Sequence, residues 1–242
     1  MSANTAHTAD GRGVLIFNGE MILLYTKSVT LTFDKNQNEL LRGSKSGRLY
    51  LTSHRIIFTN ANAKDGLQSL ALPFHCVREV KLEQPVFGAN YLHGKVLSQP
   101  GGNMTGEVGW RLTFAKGGCI DFGEALLKVT SMAQQFRPYD APPAYAPPGS
   151  GSFCAPPAYY TVPDGQAYNG FQPPTHAFPE RPAEGEVFVS ESPPPYSGVG
   201  PDRQPPPYPG GQVGGGYTQM GSNPYAAPAP FGQQAPPLPT KQ

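Results

Sequence analysis

Proline divides this chain. Only Pro73, Pro85 and Pro100 precede residue 137, and the other 26 of its 29 prolines follow it. Proline has no amide hydrogen and a fixed φ, so helix interiors and central strands exclude it. Isoleucine disappears at the same point, and the only leucine beyond it is Leu238. Valine, leucine and phenylalanine make up about a tenth of residues 137–242, below the roughly 20% under which chains tend not to close a core. The expectation is a globular domain over residues 1–136 and a disordered Pro/Tyr/Gly-rich tail over residues 137–242.

One tetrapeptide recurs four times in that tail. Pro142-Pro143-Ala144-Tyr145, Pro156-Pro157-Ala158-Tyr159, Pro193-Pro194-Pro195-Tyr196 and Pro205-Pro206-Pro207-Tyr208 all read Pro-Pro-x-Tyr. Paired prolines hold the chain in polyproline II, a solvated helix with little freedom left to lose on docking. An aromatic-lined groove such as that of a WW domain takes the proline rings at low entropic cost, and the tyrosine adds a stiff anchor with a polar tip. Tyr145 and Tyr159 are 14 residues apart and Tyr196 and Tyr208 are 12 apart. A flexible linker of that length spans roughly 17–22 Å, and a fully polyproline II one about 37–43 Å. Either suits a tandem pair of WW domains, the second site binding at raised effective concentration. Near the end, Pro236-Pro237-Leu238-Pro239 with Lys241 matches a second kind of proline ligand, or a plain Pro-rich end.

Charge and cysteines exclude other classes. Residues 1–136 carry +4 and the tail −3, within a net charge of +1, and neither value is a nucleic-acid footprint. With no basic run and no zinc-ligand spacing, direct sequence-specific nucleic-acid recognition is not expected. Cys76, Cys119 and Cys154 are three and widely spaced, which is not a disulfide framework and fits a reducing compartment. Met1–Arg12 lacks the order of a signal peptide, and no apolar run nears the roughly 20 residues that cross a bilayer. Cytoplasm and nucleus are the expected locations.

Alternation dominates residues 1–122. Val29, Leu31 and Phe33 share one strand face, and Leu49 and Leu51, turned by Ser53-His54 into Ile56-Ile57-Phe58, read as a hairpin. Further strands are expected at 68–72, 77–82, 91–97, 107–114 and 119–122. The period then lengthens: Leu126, Val129, Ala133 and Phe136 make one helical stripe, started at Gly123-Glu124 and stopped by Pro138. About seven strands and a closing helix read as a mainly β, strongly bent sheet or open barrel plugged by that helix.

These residues carry a resemblance. The run from Gly47 to Phe58 resembles the signature hairpin of GRAM domains, a variant of the pleckstrin-homology fold. Gln84-Pro85-Val86-Phe87-Gly88-Ala89-Asn90-Tyr91 with Gly94, and Gly117-Gly118-Cys119-Ile120-Asp121-Phe122-Gly123, are similar to the WW domain-binding protein 2 family, which includes the postacrosomal sheath WW domain-binding protein. The resemblance covers the head and the order of head then Pro-Pro-x-Tyr tail. The tail lacks the tandem Tyr-Gly-x-Pro-Pro-x-Gly repeats of the sperm form. The family implies a non-enzymatic adaptor and transcription coactivator. Its implied partners are WW-domain proteins, of the Yes-associated protein type and among HECT-type ubiquitin ligases, together with nuclear receptors.

A rival reading is a membrane-peripheral, phosphoinositide-binding adaptor that recruits HECT-type ligases. Lys35, Arg42, Lys45, Arg48 and Arg55 cluster around the first hairpin, with Lys45, Arg48 and Arg55 the candidate lipid ligands. Each such charge is worth about 1 kcal/mol near an anionic leaflet. The alternative is a solvated loop partly offset by Asp34 and Glu39. His75-Cys76 pairs a base with a nucleophile in sequence, but neighbours in a strand face opposite ways. No hydrolase elbow, phosphate-cradling loop or metal cluster is apparent, so neither catalytic residue nor cofactor is expected.

Overall fold

The alternating runs pair into one antiparallel sheet of eight strands. A computed structural model describes residues 1–11, 13–34, 38–135, 160–190 and 194–199. The chain divides into two units, 1–205 and 206–242, and the second lies outside the described residues. The strands are β1 (Ser2–Ala3), β2 (Val14–Phe17), β3 (Ile22–Phe33), β4 (Lys45–Thr52), β5 (Arg55–Asn60), β6 (Ser69–Pro73), β7 (Val77–Glu83), β8 (Tyr91–Leu97), β9 (Glu107–Phe114) and β10 (Val187–Ser190), with helix α1 over Cys119–Gln135. The large sheet runs β1-β6-β5-β4-β3-β9-β8-β7, and β10 pairs with β2 in a second, two-stranded sheet.

Strand β3 belongs to both halves of the large sheet. Its first half, Ile22–Thr26, pairs with β4 and not with β9, whereas Val29–Phe33 pair with β9. The register slips between Thr26 and Val29, where Ser28 takes a φ of 64°. A bulge of this kind bends a strand and tightens its twist, so one 12-residue strand turns the sheet back toward the helix. Strands β3–β9 and the closing helix match the seven-strand, mainly β arrangement expected of a pleckstrin-homology-like domain.

The helix starts earlier than its sequence pattern implies. Residues 119–122, expected as a strand, form the first turn of α1. Gly117 and Gly118 both sit at φ 82°, a conformation open to glycine, and this double turn ends β9 and redirects the chain. Cys119 and Phe122 then extend the stripe of Leu126, Val129 and Ala133 that α1 buries against the sheet. Burial of Phe122, Leu126 and Val129 stabilises the closure by about 1.5–3 kcal/mol each. Gly94 on β8 leaves room for the Trp110 indole, since a Cβ there would lie 2.8 Å from Trp110 Cζ2.

The structure departs from the expectation of a tail without packed parts. Residues 160–190 and 194–199 lie on the head. The Val162 amide donates to the Ile22 carbonyl at 3.2 Å, Phe178 packs edge-on to Phe122 at 6.1 Å, and Val187–Ser190 run parallel to Val14–Phe17. The physical reason is local. Tyr160, Val162, Tyr168, Phe171, Phe178, Val187, Val189, Tyr196 and Val199 are all buried. An average over 106 residues hides that concentration.

These residues find an apolar surface already prepared by the head. In β5, Ile56 and Phe58 enter the main core, while Ile57 between them enters a second cluster with Tyr50 and Ala71. Ile16 of β2, Tyr160, Val187 and Val189 belong to that cluster as well. The sheet is therefore covered on both faces along β4–β6, by the main core on one side and by the β2·β10 ribbon on the other.

Candidate interaction site

Of the four tetrapeptides, part of the third is in the described structure. Pro142, Pro143, Tyr145, Pro156, Pro157, Tyr159, Pro193, Pro205, Pro206 and Tyr208 lie outside the described residues. Pro194 is half-buried, Pro195 is buried, and Tyr196 is only 6% exposed.

Three head residues receive the Tyr196 ring. Phe17, at the end of β2, meets it edge-on at 6.1 Å with planes at 89°. His54, in the turn between β4 and β5, is 6.4 Å away, and His75, in the short 3₁₀ turn Phe74–Cys76, is 5.2 Å away. Edge-to-face and offset geometries at such distances are the favoured aromatic contacts. The chain is held just downstream as well. The Val199 amide donates to the Ser53 carbonyl at 2.8 Å, and Asn169 Nδ2 donates to the Val199 carbonyl at 2.8 Å. Gly198 lies flat against His54, where a Cβ would fall 2.4 Å from Nε2.

A buried charge network fixes this receiving face. Arg55 donates from Nε and Nη2 to the two Glu20 carboxylate oxygens, each at 2.9 Å, and from Nη2 to the Leu15 carbonyl at 3.0 Å. The Phe17 amide and the Thr52 hydroxyl donate to the same carboxylate. Burial alone would raise the Glu20 carboxyl. The Arg55 charge and hydrogen bonds, with His54 and Thr52, outweigh it and hold the group below the usual carboxylate range. The Arg55 guanidinium also stacks 4.3 Å from the Phe17 ring centre, and Ser53 Oγ lies 2.7 Å from His54 Nδ1. Phe17 and His54 are thus set by hydrogen-bonded neighbours before any ligand arrives.

The three candidate lipid ligands do not converge. Lys45 is buried and reaches both Asp65 carboxylate oxygens at 2.8 Å. Arg48 lies 3.3 Å from Glu186, at the start of β10, and Arg55 is sealed against Glu20. Lys45 and Arg48 are three residues apart on one strand and so emerge on opposite faces. Sequence clustering here produces three separate ion pairs, with no shared open cationic surface.

His75 and Cys76 are also placed differently from expectation. They occupy the 3₁₀ turn before β7, not a strand. Cys76 joins the main core, and burial pushes its thiol above the usual range despite the N-terminal ammonium nearby. His75 keeps an exposed edge beside Tyr196. Partial desolvation, then the N-terminal ammonium and Arg78, hold its imidazole below the ordinary histidine value. Sequence reasoning missed Phe17 and the partner roles of His54 and His75. The available signal was Val14-Leu15-Ile16-Phe17, a four-residue apolar run matched downstream by Val187-Phe188-Val189.

Comparison with known proteins adds a family. A GRAM domain model matches residues 18–132. Human WW domain-binding protein 2 is 39% identical over 159 residues, covering 65% of this chain and 60% of that protein. The postacrosomal sheath WW domain-binding protein of Macaca fascicularis is 37% identical over 147 residues, covering 60% of this chain and 56% of that one. The chain spans 60–65% of the length of the WW domain-binding protein 2 relatives that it matches. Among solved structures, the Vps36 N-terminal PH domain aligns with a TM-score of 0.43 at 22% identity, covering 56% of this chain and 97% of that one.

Proposed function

We propose that this chain is a member of the WW domain-binding protein 2 family and acts as a non-catalytic adaptor presenting Pro-Pro-x-Tyr tetrapeptides to WW domains. The observation that carries the reading is the fourfold tetrapeptide at positions 142–145, 156–159, 193–196 and 205–208. Each repeat joins a pre-formed polyproline II segment to an aromatic anchor, the two features that a WW groove reads. The GRAM-type head supplies a folded platform. Its described residues bring no group of three or more His, Cys, Asp or Glu together as a metal site.

The same proposal extends to partners of the Yes-associated protein type and HECT-type ubiquitin ligases, and to a coactivator role with nuclear receptors in cytoplasm and nucleus. Isothermal titration of the full chain against a tandem WW protein tests the reading. Binding is expected for the native chain and absent after Tyr145→Ala, Tyr159→Ala, Tyr196→Ala and Tyr208→Ala together. Undiminished binding by that quadruple variant overturns the assignment.

A further inference from the structure

We propose that the face made by Phe17, His54 and His75 is itself a receptor for a Pro-Pro-x-Tyr segment. In this chain it is filled by the third motif, which it withholds from WW domains. The inference rests on the WW reading of the tetrapeptide and adds an internal competitor to it. A WW groove must take the Tyr196 ring, and the head already does: the residue is 94% covered and its ring has three aromatic neighbours at 5.2–6.4 Å. One ring cannot occupy both sites.

The occupant is fixed by what flanks the tyrosine. Upstream, β10 pairs with β2 and Glu186 reaches Arg48. Downstream, the Val199 side chain is buried and its amide is bound to Ser53. The position two residues after the tyrosine must lack a Cβ, because the His54 ring lies there. Gly198 satisfies that requirement and Val199 fills the next site. The first motif places Pro147 and Pro148 at these positions, the second Thr161 and Val162, and the fourth Gly210 and Gly211. Glycine followed by an apolar anchor occurs after the third motif alone, so the head selects one tyrosine of four.

Docking lowers apparent WW affinity by the fraction of chains whose motif is free, since Kd,app equals the intrinsic Kd divided by that fraction. The decisive comparison uses one isolated WW domain, which removes avidity. It is titrated with the full chain carrying Tyr145→Ala, Tyr159→Ala and Tyr208→Ala, and with a synthetic peptide spanning residues 190–202. The chain is expected to bind at least about tenfold more weakly than the peptide, corresponding to a free fraction of at most about one in ten. Adding Gly198→Val to the chain, or His75→Ala on the exposed edge of the receiving face, should restore peptide-like affinity. Gly198→Val in the peptide should change nothing.

Equal affinities of unmodified chain and peptide overturn the inference while leaving the WW reading intact. A peptide that fails to bind overturns the WW reading, and with it the competition. Docking is then read separately, by nitration of Tyr196 with tetranitromethane and peptide mass mapping. The tyrosine should be protected in the native chain and modified in the Gly198→Val chain, and equal modification in both overturns docking.

Discussion

Arg55 and Glu20 form a two-pronged ion pair in which neither side chain is exposed to solvent. The pair joins the turn after β2 to the start of β5, and it sets the Phe17 ring on which Tyr196 rests. Removing one partner leaves the other charge buried and unmatched, which typically costs 3–5 kcal/mol. Glu20→Gln is expected to lower urea stability by about that amount at pH 7, and Arg55→Met by a similar amount. The native protein should also lose stability in acid. The folded Glu20 carboxyl titrates below the unfolded one, so the pair's contribution is complete above the reference value of 4.5 and disappears as pH falls through the lower folded value. Urea melts from pH 3 to 7 check this, and the acid slope of Glu20→Gln should be shallower. Equal slopes would remove Glu20 as the titrating group.

The packed C-terminal segment has a signature in amide exchange. Amides of β10 and of Val199 are expected to exchange at least about tenfold more slowly than those of an unstructured peptide. Val189→Asp places a charge on a side chain that is 4% exposed in the second cluster. Protection over residues 187–190 and at Val199 should vanish in that variant while β3–β9 stay protected. Free exchange through β10 in the native chain would contradict the strand pairing.

Two sites in the run from Gln84 to Gly94 should respond in opposite ways. Val86 and Phe87, between β7 and β8, are each 92% exposed. Replacing both by serine should change stability by no more than about 0.5 kcal/mol. Gly94→Ala forces a methyl toward Trp110 Cζ2 at 2.8 Å and should cost about 1–3 kcal/mol through overpacking. Thermal melts of the two variants decide the matter, and a tolerated Gly94→Ala would mean that the indole has room to move.

Tandem WW partners should use the tail unequally. With the third motif held by the head, Tyr145 and Tyr159 are the remaining close pair in the sequence, 14 residues apart. Tyr145→Ala with Tyr159→Ala should weaken a tandem partner by at least about tenfold, or about 1.4 kcal/mol, and by more than Tyr196→Ala with Tyr208→Ala does. The reverse order in surface plasmon resonance would show the Tyr196–Tyr208 pair to be the ligand in the native chain.

Much of the head was legible in the sequence. Strands β8 and β9 alternate between buried and more exposed residues, and period-two alternation marks such strands strongly. Four-residue windows were less legible. Cys119–Phe122 reads equally as a strand or as the first turn of a helix, and the glycines before it decided the outcome through their φ. Strand β2 was missed because all four of its residues are buried, which erases alternation. Whether the basic residues converge was not legible for a geometric reason: sequence proximity does not say which face of a strand each occupies. The receiving face for Tyr196 was beyond reach, since Phe17, His54 and His75 come together only when β2, the β4–β5 turn and the 3₁₀ turn pack.

The parallel register of β2 with β10 has a consequence for how the protein is made. Val14 and Val187 are partners but lie 173 residues apart in the chain, so this pairing has a high contact order and closes late. At about 5–20 residues per second, the 55 residues from the end of α1 to the end of β10 take roughly 3–11 s to emerge from a ribosome. For that interval the nascent head shows bare apolar surface at Ile16, Tyr50 and Ile57 and an unpaired edge at β2. Holdase chaperones recognise such surfaces, and truncation before residue 187 would make the exposure permanent.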